Sequence, residues 1–418
     1  MSTDSAITDA ATNETTTADY RRLMKKVEEV VGVIREGENE TTTIHLVADE
    51  VIRQLRSALG IFGGRLYQRD GDSYVLRATF PDAKAVAHEF RVPRTYPPLE
   101  LCLLMGTVYM GADDPRIDPE LERALGVEEF AAVEVGDEDY VLGFNVAPGH
   151  NRDDVIWSLA VVRRAIDEKI HRQRVEDIFE QAQQIQASIL PRRAPVFAGY
   201  DVAGRTSSMH GMGGDLFDFI PLSEKLLGIT IADASGHGLP AALQVRDVYV
   251  GLRMGLSRDF KIVRTVERLN EIIHRSSLKS RFVSTFYAEL ESNGNFIYVN
   301  AGHPPPFHIA AGGEVTRLIH GGPVLGPLPS ASYERGMVSL AGGDMVVLYT
   351  DGITEALASG DTTRREEYGV HRLLEVLRAH QGEAAAAILD AVFASVEAWT
   401  EDTPPQDDRT VVVVTCPS

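Results

Sequence analysis

The apolar positions Leu23, Val27, Val30, Val31 and Ile34 recur at helical spacing with charged residues between them, which predicts a helix over residues 20–36. A second helical period runs from Thr42 to Leu59. The pattern then shifts to two β-rich runs, 60–67 and 74–80, split by Asp70-Gly71, a hairpin signal. From Thr107 to Gly149 the chain reads as short strand, acidic loop, short helix, strand, turn and strand, so residues 37–165 form an α+β layout. Ahead of all this, residues 1–19 are rich in Thr, Ser and Asp and are predicted to be a disordered tail.

Asp153 to Leu190 contains neither Pro nor Gly, and Asp153 or Asp154 can cap a helix there. Within it Val175, Ile178, Ala182, Ile185 and Ile189 keep heptad spacing until Pro191 stops the run. A helical linker over 166–192, continuing the helix from about 153, is expected. Its seam suits either a parallel homodimer or packing on a neighbouring domain.

Past Arg192 strand-like runs recur at 200–206, 226–232, 282–290, 296–300, 337–340, 345–349 and 410–415. Helical runs fall at 240–256, 261–277, 368–379 and 383–400. Strands mostly follow strands and helices follow helices, so residues 193–418 are predicted to be a further α+β domain with largely antiparallel sheets.

Charge narrows the function. The 418 residues carry 41 basic and 61 acidic side chains, a formal net charge of −20, which disfavours a nucleic-acid partner. Cys102 and Cys416 are the only cysteines, which excludes a disulfide scaffold and a four-cysteine metal site and suggests a reducing, cytoplasmic setting. Cys102, in "LELCLLMG", is read as a small buried apolar residue rather than an attachment or redox site. No stretch has the signature of a signal peptide or the roughly 20 apolar residues of a membrane span.

Acidic residues at strand ends or beside glycines are the candidate chemistry: "GMGGDLFDF" with Asp215 and Asp218, "ITIADASGHG" with Asp233, "VVLYTDGITE" with Asp351, and "QDDRTVVVV" with Asp407 and Asp408. Each Asp-Gly alone is an ordinary turn. Gathered by a fold, repelling carboxylates are tolerable only around cations, and an oxygen-only donor set favours Mg²⁺ or Mn²⁺ over zinc. Two such ions activate water and clamp a phosphoryl group. There is no Gly-x-Ser-x-Gly, His-Glu-x-x-His or Gly-Lys phosphate loop.

Seven stretches in order, "GGDLFD", "IADASGHGLPAAL", "FVSTFYAEL", "YVNAGHPPPF", "GPVLGPLP", "GDMVVLYTDGITEA" and "DDRTVVVV", resemble the metal-dependent serine/threonine protein phosphatases (PPM, type 2C), specifically their SpoIIE-like branch. The resemblance implies an αββα sandwich with two Mn²⁺ or Mg²⁺ ions at one sheet edge and attack by a metal-bridging water. By position, Asp233 resembles the bridging carboxylate, the Ala234 carbonyl the adjoining backbone ligand, and Asp351 and Asp407 ligands of one ion each. Asp408 competes with Asp407, because it stands where the family has Asn. Asp215 resembles the acid that holds metal-bound water, and Asp218 a supporting acid. The implied substrate is a phosphorylated STAS-type anti-sigma-factor antagonist in a partner-switching pathway.

The Asp-Gly-His of the family's animal and plant members is absent: Ser235 follows Ala234 and the histidine comes at His237, so His237 and His303 are read as loop-structuring donors. Glu355 is read as an acid at a helix N-terminus. Leu243, Tyr249, Leu252 and Leu256 form an apolar stripe that suits core packing or a regulatory helix beside the metal loop. Residues 37–165 resemble a GAF domain, which implies a sensor for a small ligand, a dimerisation module, or both. The alternative to an enzyme is a non-catalytic phosphoprotein-binding scaffold with the same sensor.

Overall fold

The computed structural model describes residues 21–32, 40–80, 90–125, 129–191, 193–209, 211–236, 238–256, 261–276, 282–359, 366–401 and 403–416. The predicted tail 1–19 and His237 lie outside the described residues. The chain divides into two compact units, Met1–Ile178 and Phe179–Ser418.

The first unit opens with helix α1 (21–32) and α2 (Glu40–Leu59), followed by the hairpin β1 (Ile61–Asp70) and β2 (Ser73–Phe80) that Asp70-Gly71 predicts. Then come β3 (Arg91–Pro93), α3 (Pro97–Met105), β4 (Thr107–Met110), α4 (Pro119–Leu125), β5 (Phe130–Val135), β6 (Tyr140–Val146) and the start of α5 (Arg152–Ala187). The six strands form one antiparallel sheet in the order β3-β2-β1-β6-β5-β4. One face is covered by apolar stripes such as Val47, Val51 and Leu55 of α2 and Val155, Leu159, Val162 and Ile166 of α5. On the other face Tyr67, Tyr74 and Phe130 meet Leu99 and Cys102 of α3. Cys102 is fully buried and its thiol is pushed up to about 12 by burial, so it behaves as an apolar filler. The heptad positions Val175, Ile178 and Ile185 are 52%, 62% and 53% exposed.

The second unit comprises β7 (Asp201–Ser207), β8 (Asp215–Ser223), β9 (Leu226–Ala234), α6 (Leu239–Leu256), α7 (Ile262–Arg275), β10 (Val283–Glu291) and β11 (Asn295–Ala301). After these come β12 (Phe307–Ile309), β13 (Val315–Arg317), β14 (Gly321–Gly322), β15 (Gly336–Ser339), β16 (Met345–Tyr349), α8 (Asp351–Thr354), α9 (Gly369–Ala379), α10 (Ala385–Thr400) and β17 (Arg409–Thr415). One sheet runs β14-β11-β10-β9-β8 with β15 on β11, and the other runs β13-β12-β16-β17-β7.

Side-chain alternation explains the layering. Odd positions of β8 and β9, including Phe217, Phe219, Ile229 and Ile231, meet even positions of β16 and β17, Val346, Leu348, Val412 and Val414, in a core between the sheets. The opposite faces pack on helices: Leu216 and Ala232 on α6 and α7, Val411 and Val413 on α9 and α10. Burial on both faces is why "TVVVV" is an unbroken apolar run. The result is the αββα sandwich the resemblance implies.

The stripe predicted on α6 holds in part: Leu252 is buried and Tyr249 packs against the same core, but Leu243 does not. Ala241, Val245, Val248 and Leu252 carry the buried face, while Leu243 is exposed. Leu243 and Leu252 stand nine residues apart, about two and a half turns, which puts them on opposite faces. The Leu256 side chain lies outside the described residues.

Candidate metal centre

Register and alternation gather the acids. Asp215, the first residue of β8, is directly opposite Asp233, near the end of β9. Both are odd positions, so both face the gap between the sheets, where β16 ends and β17 begins. Thr350, even on the β16 side, and Thr410, even on β17, therefore face Asp215. Each donates its hydroxyl to Asp215 Oδ2, at 2.8 and 2.6 Å. They also bind each other, Thr410 N–H to Thr350 Oγ1 and Thr350 N–H to Thr410 O, both at 3.0 Å. These two threonines went unremarked in the sequence, although strand parity counted on from "VVLY" and back from "VVVV" singles them out.

Asp351 follows Thr350 as the first residue of α8. Gly352 is needed there for space rather than for a turn: a Cβ on it would stand 2.0 Å from the Asp408 carbonyl oxygen and 3.4 Å from Asp407 Cβ. The missing side chain lets the 407–408 backbone lie against α8, which brings Asp407 to Asp351. Gly214 plays the same part across the site, because its Cβ would meet the Ala234 carbonyl oxygen at 2.7 Å.

The adjacent acids divide. Asp408 is buried, accepts the Met209 N–H at 2.9 Å and fills the space a Cβ on Gly213 would take. Asp407 is exposed and accepts the Asp408 N–H at 2.8 Å. Asp218, an even position of β8, points away from the acids to α6, where Arg253 binds it with a closest contact of 2.8 Å. It ties that helix to the strand bearing Asp215.

The acids repel one another. Burial, then Asp351, Asp407 and Asp408, push Asp233 up to about 8. Asp215 is held well above its ordinary range by burial, Asp233 and Asp408, against the two threonine hydroxyls. Burial also raises Asp351. Glu355 belongs to the same field: burial, Asp351, Glu367 and Asp407 raise it. Expected at a helix N-terminus, it instead closes the C-terminal end of α8, its N–H on the Asp351 carbonyl at 2.7 Å. The helix is a single turn, too short for Glu355 to lie within it.

His303 is buried, with Nε2 donating to the Tyr349 carbonyl at 3.1 Å and Nδ1 accepting the Ser284 hydroxyl at 2.8 Å. Burial pushes its ring down to about 3, so it stays neutral and anchors the end of β16 just before Asp351. A further contact had no sequence signal. Gln186, in the last turn of α5, binds the Gly213 backbone twice, its amide donating to the carbonyl and its oxygen accepting the N–H at 3.1 Å.

Among the described residues no ion pair joins Asp215, Asp233 or Asp351 to a basic side chain, and no three acidic, His or Cys side chains form a closed cage as they stand. An all-oxygen set of mutually repelling carboxylates beside the Ala234 carbonyl fits hard divalent cations that keep several waters and take few direct carboxylates each.

Residues 223–417 match the family described as Stage II sporulation protein E (SpoIIE); Asp215 and Asp218 lie before that span. The chain is 24% identical over 321 residues to Protein IcfG of Synechocystis sp., covering 68% of this chain and 49% of that one. It is 25% identical over 245 residues to Phosphoserine phosphatase RsbU of Bacillus subtilis, covering 58% and 71%. It thus spans about half the length of one relative and under three quarters of the other. In fold it is similar to the SiaA-PP2C domain of Pseudomonas aeruginosa, with a TM-score of 0.51 at 19% identity, covering 58% of this chain and 97% of that one. Its second unit therefore has the PP2C-type phosphatase fold, and residues 223–417 are similar to the SpoIIE family.

Proposed function

We propose that the protein is a metal-dependent protein serine/threonine phosphatase whose N-terminal GAF-like unit, residues 37–165, senses a signal. The observation that carries this reading is the cross-strand pair Asp215 and Asp233 facing Asp351 and Asp407 at one edge of the sandwich. Asp233, Asp351, Asp407 and the Ala234 carbonyl are the proposed ligands of two Mn²⁺ or Mg²⁺ ions. Asp215, held by Thr350 and Thr410, orients water. Asp407 is favoured over Asp408, whose Oδ1 accepts the Met209 N–H and whose carboxyl is packed against Gly213. Two divalent ions there would supply Lewis acidity toward phosphoryl oxygens and lower the pKa of water. With His303 neutral and both its nitrogens engaged, no proton donor is assigned to it.

Similarity to a phosphoserine phosphatase supports a phosphorylated Ser or Thr on a protein, and we assign the substrate to the STAS-type anti-sigma-factor antagonists. The exposed seam of α5 supports a homodimer. No described helix is long and apolar enough to cross a membrane, and two unpaired cysteines fit a cytoplasmic setting. The test is hydrolysis of an aryl phosphate and a phosphorylated STAS protein with and without Mn²⁺, for wild type, Asp233→Asn and Asp351→Asn. Metal-dependent turnover lost in both variants is expected; variants as active as wild type, or no metal-dependent turnover at all, would sink the proposal.

A further inference from the structure

The first unit contains a cavity with a water-accessible volume of about 50 Å³, between the sheet face bearing Tyr67 and Val141 and the side bearing Leu99 and Cys102. Its walls are mostly apolar. Two charged side chains also line it, Arg65 of β1 and Glu122 of α4, only 5% and 6% exposed.

The two opposite charges attract each other, but each keeps polar atoms without a hydrogen-bond partner. Arg65 Nη2 donates to Asn145 Oδ1 at 3.0 Å, but Nε and Nη1 have no partner among the described residues. Glu122 Oε1 accepts the Tyr96 hydroxyl at 3.0 Å, while Oε2 has no partner. Burying charged heads with unused hydrogen-bonding capacity is unfavourable unless something else supplies the missing partners. The cavity could hold a few waters, each needing roughly 10–15 Å³ on this measure. Its apolar walls offer water little else, and the same space takes a molecule of single-ring size.

The unused groups define the ligand's chemistry. Two guanidinium nitrogens call for an acceptor, best an anionic one. Glu122 Oε2 calls for a hydroxyl or ammonium donor. A dianionic phosphate would be repelled by Glu122, so a monocarboxylate fits better, and a nucleotide is too large. Cys102 contributes only an apolar wall, its thiol being buried.

We infer that this cavity binds a small aromatic or branched aliphatic hydroxy or amino carboxylate, its acid group on Arg65 and its donor on Glu122. This deepens the sensor role proposed above, but binding is read without turnover, so it stands or falls apart from the phosphatase reading.

The test is calorimetric titration of the full chain with 4-hydroxybenzoate, L-leucine and, as an apolar control, toluene. At least one of the two carboxylates is expected to saturate a single site, and Arg65→Gln to weaken it roughly 10- to 100-fold. Gly143→Ala gives a second arm that leaves the fold intact. Its new methyl would project beside the cavity with nothing nearer than Arg65 Nη2 at 3.9 Å, so it narrows the space without a clash. Weaker binding in that variant, with an unchanged melting temperature, is expected. Failure of both carboxylates to saturate the wild type, saturation by toluene alone, or wild-type affinity in both variants overturns the inference.

Discussion

Gly352→Ala tests the packing that brings the two sheets' acids together. The added methyl carbon would stand 2.0 Å from the Asp408 carbonyl oxygen, whereas carbon–oxygen contacts are comfortable at roughly 3.3–3.6 Å. The neighbour is backbone and cannot rotate away, so α8 and the 407–408 segment must separate by more than about 1 Å. Overpacking of this kind costs about 1–3 kcal/mol. In a unit of this size that lowers the melting temperature by roughly 2–12 °C. The functional effect should be larger, because the same shift moves Asp407 from Asp351, and a 1 Å misplacement typically costs about 100-fold in rate. Aryl phosphate hydrolysis at several Mn²⁺ concentrations, beside a thermal melt, reads both. Gly312→Ala is the control, since a Cβ there meets nothing within 4 Å. A Gly352→Ala protein within about threefold of wild-type activity would refute the close-approach argument.

Gln186→Ala strips both hydrogen bonds from the buried Gly213 backbone, so a loss of about 1–3 kcal/mol is expected. Turnover should fall further than stability does, because Asp215 is only two residues on; equal stability and turnover to wild type would show the contact to be incidental. Asp344 tests pH dependence. Burial would raise its carboxyl, but the Ala341 and Ala311 N–H groups and the His308 ring outweigh that and hold it low. A depressed folded-state value stabilises above the ordinary carboxylate pKa of about 3.9, and that stabilisation fades as pH falls through the lowered value. Asp344→Asn should therefore lower the melting temperature at pH 7 and progressively less in acid; a gap independent of pH contradicts the assignment. For the linker, light scattering of the full chain should give a dimer that Ile178→Asp with Ile185→Asp converts to monomer, and a wild-type monomer removes the dimer.

Legibility in the sequence followed the range of the interaction. Continuous apolar runs such as "MVVLY" and "TVVVV" name their own strands, because burial on both faces leaves mostly apolar choices. Asp215, Asp233, Asp351 and Asp407 could be singled out because each interrupts or flanks a strand-like run or stands beside glycines. Their supports were harder to see. Thr350 and Thr410 are ordinary strand residues until the two sheets are stacked. Gln186 is one of several glutamines in "EQAQQIQA", and nothing local distinguishes the one that faces Gly213. Gly352 was visible, but for the wrong reason: Asp-Gly suggested a turn, while the need arises from a backbone more than 50 residues away in sequence.

The acidic edge of the sandwich is maintained against its own electrostatics. Like charges directly opposite on neighbouring strands are destabilising, yet Asp215 faces Asp233 across β8 and β9 while both feel further acids. Two apolar residues in their place would extend the inter-sheet core of Phe217, Ile231 and Leu348 by another layer. Instead the fold supplies two threonine hydroxyls to Asp215 and leaves the repulsion around Asp233 without a basic partner among the described residues. Basic side chains would neutralise the acids by occupying the coordination sites a cation needs. Arg253 of α6 is turned to Asp218 on the opposite face of β8. The strand therefore separates two tasks by parity: its even acid is paired and fastens a helix, and its odd acid is kept unpaired by any side-chain cation. On the proposed reading, that repulsion is what a divalent ion bound there would relieve, and its affinity would have to offset the cost.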